Sequence, residues 1–135
     1  VSSSTGGHLT ITVGDTGFSS PARTSNPLTL TSVVAGTLRG GGWVAVRAYA
    51  DPSNDQFGQA VAAGLQGPFQ DGGYFDAVDA VFSRNTGPYS LTSQVDVSVG
   101  PGGRAGGDHT LEVRGLPVPP RHRVSKADYL ASSQR

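Results

Sequence analysis

The chain has no cysteine and no methionine, and among its 135 residues there is one lysine (Lys126), one glutamate (Glu112) and one tryptophan (Trp43). Without cysteine there is no disulfide and no thiolate metal site, and the surface suits an exterior exposed to oxidants. The lack of methionine even at position 1 reads as a processed chain, for which a removed secretory signal is one explanation. No apolar run approaches the roughly 20 residues that a membrane-spanning helix needs. The formal net charge is zero, so long-range attraction of nucleic acid is not expected, and no basic and aromatic surface supports it. With a single glutamate, a two-carboxylate hydrolase would have to rely on aspartates. The expected localisation is therefore extracellular, and no enzymatic activity is expected.

In place of these residues the chain carries 20 Gly and 9 Pro, with 36% hydrophobic and 15% charged residues. Few helix formers and many turn formers predict an all-β chain of short strands. Its length suits one domain with a self-sufficient core. Leu28 to Val34 and Trp43 to Ala50 read as two strands joined by a loop ending in Gly40-Gly-Gly42. Such glycines supply the positive φ of a reversing connection, and the pattern predicts a hairpin.

Leu9, Ile11 and Val13 alternate with polar residues and predict a half-buried strand. Val61 to Leu65 fits a short strand or one helical turn, and Gln66 to Gly73 reads as loop. Tyr74 to Ser83 is apolar on both faces, as a central, doubly covered strand would be. Tyr89 to Val99 alternates most cleanly, and Leu111 and Val113 point inward from a last strand. The sum is an antiparallel β-sandwich of about seven strands, Ig-like or jelly-roll-like, over residues 8–114. Residues 1–7 form a flexible or donated N-terminal segment. Residues 115–135 form a Pro-rich basic tail whose prolines 117, 119 and 120 impose extended backbone. Residues 1–114 carry a net charge of −3 and residues 115–135 of +3, so the tail can attract the body of a neighbouring copy.

Chemical motifs are sparse. Asp51, Asn54 and Asp55 make an oxygen-rich loop, with Asp71, Asp76 and Asp79 further on. Calcium is one reading of it, and Asx turn chemistry is the simpler one. His8, His109 and His122 have no metal-ligand spacing and read as surface or edge residues. Ser, Asp and His are present without a nucleophile elbow. The glycine clusters lack phosphate-loop spacing and a following helix. Trp43, Tyr49, Tyr74 and Tyr89 would make a sugar platform if exposed, and core residues otherwise. No cofactor is expected.

The strings Leu9-Thr-Ile-Thr-Val, Asp51-Pro-Ser-Asn…Phe57-Gly, Gln66-Gly-Pro-Phe69 and Thr86-Gly-Pro-Tyr-Ser-Leu-Thr92 resemble secreted bacterial proteins of the PEP-CTERM type. The resemblance covers roughly residues 8–114. It implies export, handling by an exosortase and association with biofilm matrix and exopolysaccharide. Pro117-Val-Pro-Pro120 stands where a Pro-Glu-Pro signal would begin, without its glutamate, and no C-terminal sorting helix follows.

Polar, Gly- and Pro-rich ends cost about 1–2 kcal/mol per residue to order, and contacts to a second copy can offset that. The reading is an extracellular structural subunit. It self-assembles into filament or matrix by exchanging terminal segments, in donor-strand fashion. The residues expected at the subunit interface are Leu116, Val118, Val124, Tyr129 and Leu130, within a donor running from Leu116 to Leu130. The partners are copies of itself, with extracellular polysaccharide as a further one. The alternative is a carbohydrate- or matrix-binding sandwich module, with calcium as an optional stabiliser.

Overall fold

A computed structural model describes residues 1–21, 27–84 and 87–115. They form eight strands: β1 (Gly7–Phe18), β2 (Leu28–Arg39), β3 (Gly42–Asp51), β4 (Val61–Ala62), β5 (Gln66–Phe69), β6 (Gly72–Phe82), β7 (Tyr89–Val99) and β8 (Arg104–Gly115). All pairings are antiparallel, in two sheets. One has the order β1-β7-β3-β4, with β5 also on the free edge of β3, and the other has the order β6-β2-β8. The sheets pack face to face as a β-sandwich. β2 lies over β3, β8 over β7 and β3, and β6 over β4 and β5. Among the described residues no helix is long and apolar enough to cross a membrane.

The predicted hairpin of residues 28–50 is overturned. β2 and β3 lie in different sheets, and the chain crosses the sandwich between them. Gly40, Gly41 and Gly42 do take positive φ, at 84°, 85° and 110°, but they turn the chain across the core. At Gly42 a Cβ would also lie 1.9 Å from the Ser98 carbonyl oxygen. A two-residue reversal rewards pairing only when both strands lack better partners. Here β7 fills the place beside β3, from Gly42↔Val99 to Asp51↔Ser90. β2 is taken on one side by β6 and on the other by β8.

Two other expectations change. β6 is an edge strand, not a central one: Phe75 is 70% and Val81 58% exposed on its outer side. Gln66 to Phe69, read as loop, is a four-residue strand that pairs Val44↔Phe69 and Val46↔Gln66. Of the two readings of Val61 to Leu65, the short strand is the one observed, as β4.

The core has two apolar halves. In one, Leu28, Leu30, Ala48, Ala50, Ala63, Phe82 and Tyr89 meet. In the other, Val34, Leu38, Val44, Val46, Val97, Val99 and Ala105 meet. Tyr74 stacks on Phe69 at 4.7 Å. Its phenol oxygen lies where a Cβ on Gly36 would sit 2.4 Å away, so only glycine lets the ring lie across β2. Between the halves runs a polar belt at Ser32, which is fully buried between Leu30 and Val34.

Candidate functional site

The two sheets are unequal in width, and the difference is concentrated at one side. β1 lies beyond β7, where the three-stranded sheet has already ended at β8. Its inward-turned side chains pair Leu9↔Val97 and Ile11↔Val95, with Val13 facing Ser93. Yet Leu9, Ile11 and Val13 are 43%, 39% and 63% exposed. The sequence predicted them half-buried. The alternation is real, but nothing among the described residues covers the strand.

The wall of this open seam is the free edge of β8. Its other edge is paired with β2 along the whole strand, from Leu28↔Gly115 to Arg39↔Arg104. On the free side, residues 1–3 occupy only the first positions. Ser2 bridges Arg104, the Ala105 amide donates to the Val1 carbonyl at 2.8 Å, and the Val1 ammonium donates to the Ala105 carbonyl at 2.7 Å. The first three residues thus lie on their own protomer. β8 has no register shift. Alternation therefore turns the backbone groups of Gly107, His109, Leu111 and Val113 to the same side as those of Ala105. Among the described residues no strand pairs with them. Unpaired edge groups beside exposed aliphatic side chains make a template for an added strand. The seam opens inward to a cavity of about 200 Å³ lined by Val1, Ile11, Val95, Val97, Tyr74 and His109, among others.

His109, read as a surface or edge residue, lies on the edge strand β8 and is half-buried with its ring turned inward. Its Nδ1 lies 2.7 Å from Ser93 Oγ and its Nε2 2.7 Å from Ser32 Oγ. Ser32 donates to Gln66 Oε1 at 2.6 Å, so its single proton is committed. Nε2 must then carry the imidazole proton, and Ser93 donates to Nδ1. Gln66 Nε2 continues the belt to the Ser32 carbonyl at 3.2 Å and Asp76 Oδ2 at 3.3 Å. Five side chains from five strands are linked across both sheets. A serine beside a histidine invites a nucleophilic reading. Ser32, however, is fully buried and its hydroxyl points at an amide oxygen, so the arrangement is a structural tie.

Burial lowers the His109 pKa from the ordinary 6.5. The unfolded chain binds a proton near pH 6.5 that the folded chain refuses until the pH is lower. The stabilisation is therefore whole above about pH 6.5 and is lost as the pH falls toward the lowered folded value. Urea midpoints measured at pH 7.5 and 5.5 should differ more for the natural chain than for His109→Gln. An equal difference in both would remove His109 as the source.

The remaining candidates are placed as follows. Leu116, Val118, Val124, Tyr129 and Leu130, the expected interface, lie outside the described residues, as does His122. The Asp51 carboxylate accepts from the Ser53 amide at 2.8 Å, and Asn54 Oδ1 accepts from the Gly17 amide at 2.7 Å. Asp71 accepts from the Gly41 amide at 3.0 Å, and Asp79 accepts from the Thr31 hydroxyl at 2.7 Å. These side chains tie turns and strands. Among the described residues no three histidine, aspartate or glutamate side chains come together to hold a metal.

The four aromatic residues do not form one platform. Tyr89 is in the core, stacked on Phe18 and edge-on to Phe82, and its hydroxyl donates to the Ser20 carbonyl. Tyr49 is buried and Tyr74 half-buried on the inner face, where desolvation raises its pKa above 10.0. Trp43 stands on the outer face, and Tyr49, which shares its parity on β3, is buried there. Compared with this chain, no family model, no curated protein and no solved structure matches.

Proposed function

We propose that this protein is an extracellular, non-enzymatic structural subunit that assembles with copies of itself, the seam of one copy receiving an extended segment of the next. The observation that carries the reading is the exposed inner face of β1 beside the stretch of the β8 edge that no strand among the described residues pairs. A strand laid there would complete the narrower sheet, cover Leu9, Ile11 and Val13, and satisfy the backbone groups of β8. The resemblance to exported matrix proteins of the PEP-CTERM type agrees with this reading.

The donor is the tail of another copy. Leu116 directly follows the last residue of β8, and a strand cannot pair its very next residues along its own edge without a turn. In an extended donor Leu116 and Val118 would share one face, so both could point into a neighbour's seam. Pro117 and Pro119 would then face away from β8, where a missing amide costs nothing and discourages a further strand, while Pro120, on the parity of Leu116 and Val118, would end that run of pairing. Val124, Tyr129 and Leu130 extend the donor. A basic tail on an acidic body favours the encounter. Head-to-tail exchange of this kind builds filaments wherever its rotation does not close into a ring.

Light scattering tests this. The full chain should form large assemblies. A chain lacking residues 116–135 and the variant Ile11→Lys should each be monomeric. Mixing the two should give one-to-one pairs, because one retains the acceptor and the other the donor. A truncated chain that still polymerises, or a full chain that stays monomeric at every concentration, would overturn the proposal.

A further inference from the structure

A second surface lies on the opposite face of the wider sheet, away from the seam. β3 sets Trp43 and Arg47 on that outer face, and β7 sets Asp96 beside them, with Ala45↔Asp96 in register. Together with Leu65, Pro68 and Gln70 they border a trough of about 280 Å³. The indole is held in place rather than free: the His8 ring leans on it at 5.4 Å, tilted by 53°. Asp96 is also held. Thr10 Oγ1 donates to its Oδ1 at 2.6 Å, and Arg47 Nη1 donates to its Oδ2 at 3.3 Å. The Arg47 side chain remains 41% exposed and that of Asp96 16%.

We propose that this trough binds a neutral glycan built of hexopyranose units. Such a ring has one face of C–H bonds and a rim of hydroxyls. The first fits an indole flanked by Leu65, which is 50% exposed, and Pro68; the second fits a guanidinium donor next to a carboxylate acceptor. Hydrogen bonds to ionised groups are the stronger and more directional kind. The charges of Arg47 and Asp96 cancel, so the trough has no net attraction for a phosphate or a uronate. Both residues stand on strands paired on both sides, so little order is lost when a ligand arrives. An aromatic shelf with a few convergent polar groups is the general form of a small-ligand site.

Trp43 is the only tryptophan in the chain, so its emission reads the trough directly. Titration with gluco- and manno-oligosaccharides should give a saturable change in that emission. Arg47→Ala, checked for folding by circular dichroism, should need at least tenfold more sugar. Ile11→Lys, altered only at the seam, should bind as the natural chain does, which keeps this test separate from that of assembly. Electrophoresis through gels containing a neutral glucan should retard the natural chain and not Trp43→Ala. Absence of a saturable change with every neutral oligosaccharide, an equal response to a uronate polymer, or undiminished binding by Arg47→Ala would each overturn the proposal.

Discussion

Leu30→Ala is expected to lower the unfolding free energy by about 3 kcal/mol, within the range for deleting a buried leucine side chain, and the melting temperature by roughly 10 °C. Leu30 has no exposed surface and packs among Ala48, Phe82 and Tyr89. Its neighbours are held by two sheets, so the space left behind cannot collapse. Against a total stability of about 5–15 kcal/mol, this is a large share. Val13→Lys is the matched comparison. Val13 also points to the interior side of its sheet, but it is 63% exposed, so its replacement should cost less than about 0.5 kcal/mol. Chemical denaturation of the monomeric, tail-deleted chain measures both. A cost for Val13→Lys approaching that of Leu30→Ala would mean that the chain itself covers β1.

Gln66→Ala should cost about 3 kcal/mol, although it removes no large apolar group. Gln66 is 1% exposed and links Ser32 to Asp76 through both ends of its amide. Truncation leaves the Ser32 hydroxyl and carbonyl without that partner, at about 1–3 kcal/mol for an orphaned buried group, and adds a void. Gln66→Glu keeps the volume but sets a carboxylate against Asp76. It should be as destabilising at pH 7.5 and recover part of the loss at pH 5, where the two carboxyls can share a proton. Urea midpoints at the two pH values report this. A Gln66→Ala variant within 0.5 kcal/mol of the natural chain would show that the belt contributes little.

Much of the secondary structure was legible because period-two alternation survives in six of the eight strands. β5 was not, since Gln66-Gly-Pro-Phe69 is too short for a period and contains a proline that reads as a break. Alternation also tells which side chains share a face, not which sheet holds the strand. That is why the Gly40–Gly42 connection could be read as a hairpin when it is a crossing. The seam was invisible for the same reason: Leu9, Ile11 and Val13 have one pattern whether a strand lies over them or not. For His109 a signal was present and went unused. It shares the parity of Leu111 and Val113, and Ser32 that of Leu30 and Val34, so both were on the inner face by spacing alone. Trp43 follows the same logic in reverse, being offset by one from Val44 and Val46 and therefore outward.

The strand order also bears on how the chain reaches its native state. Leu28 pairs with Phe82 and Gly115, and Gly42 with Val99. Almost every ladder thus joins segments far apart in sequence, and such topologies fold on the millisecond-to-second scale because long chain loops must close before any reward arrives. Synthesis from the N-terminus delivers β2 and β3 well before β6, β7 and β8, the long partners that flank them. A nascent chain that has not yet reached Arg104 holds β2 with one flank bare, and its folding waits on the final strand.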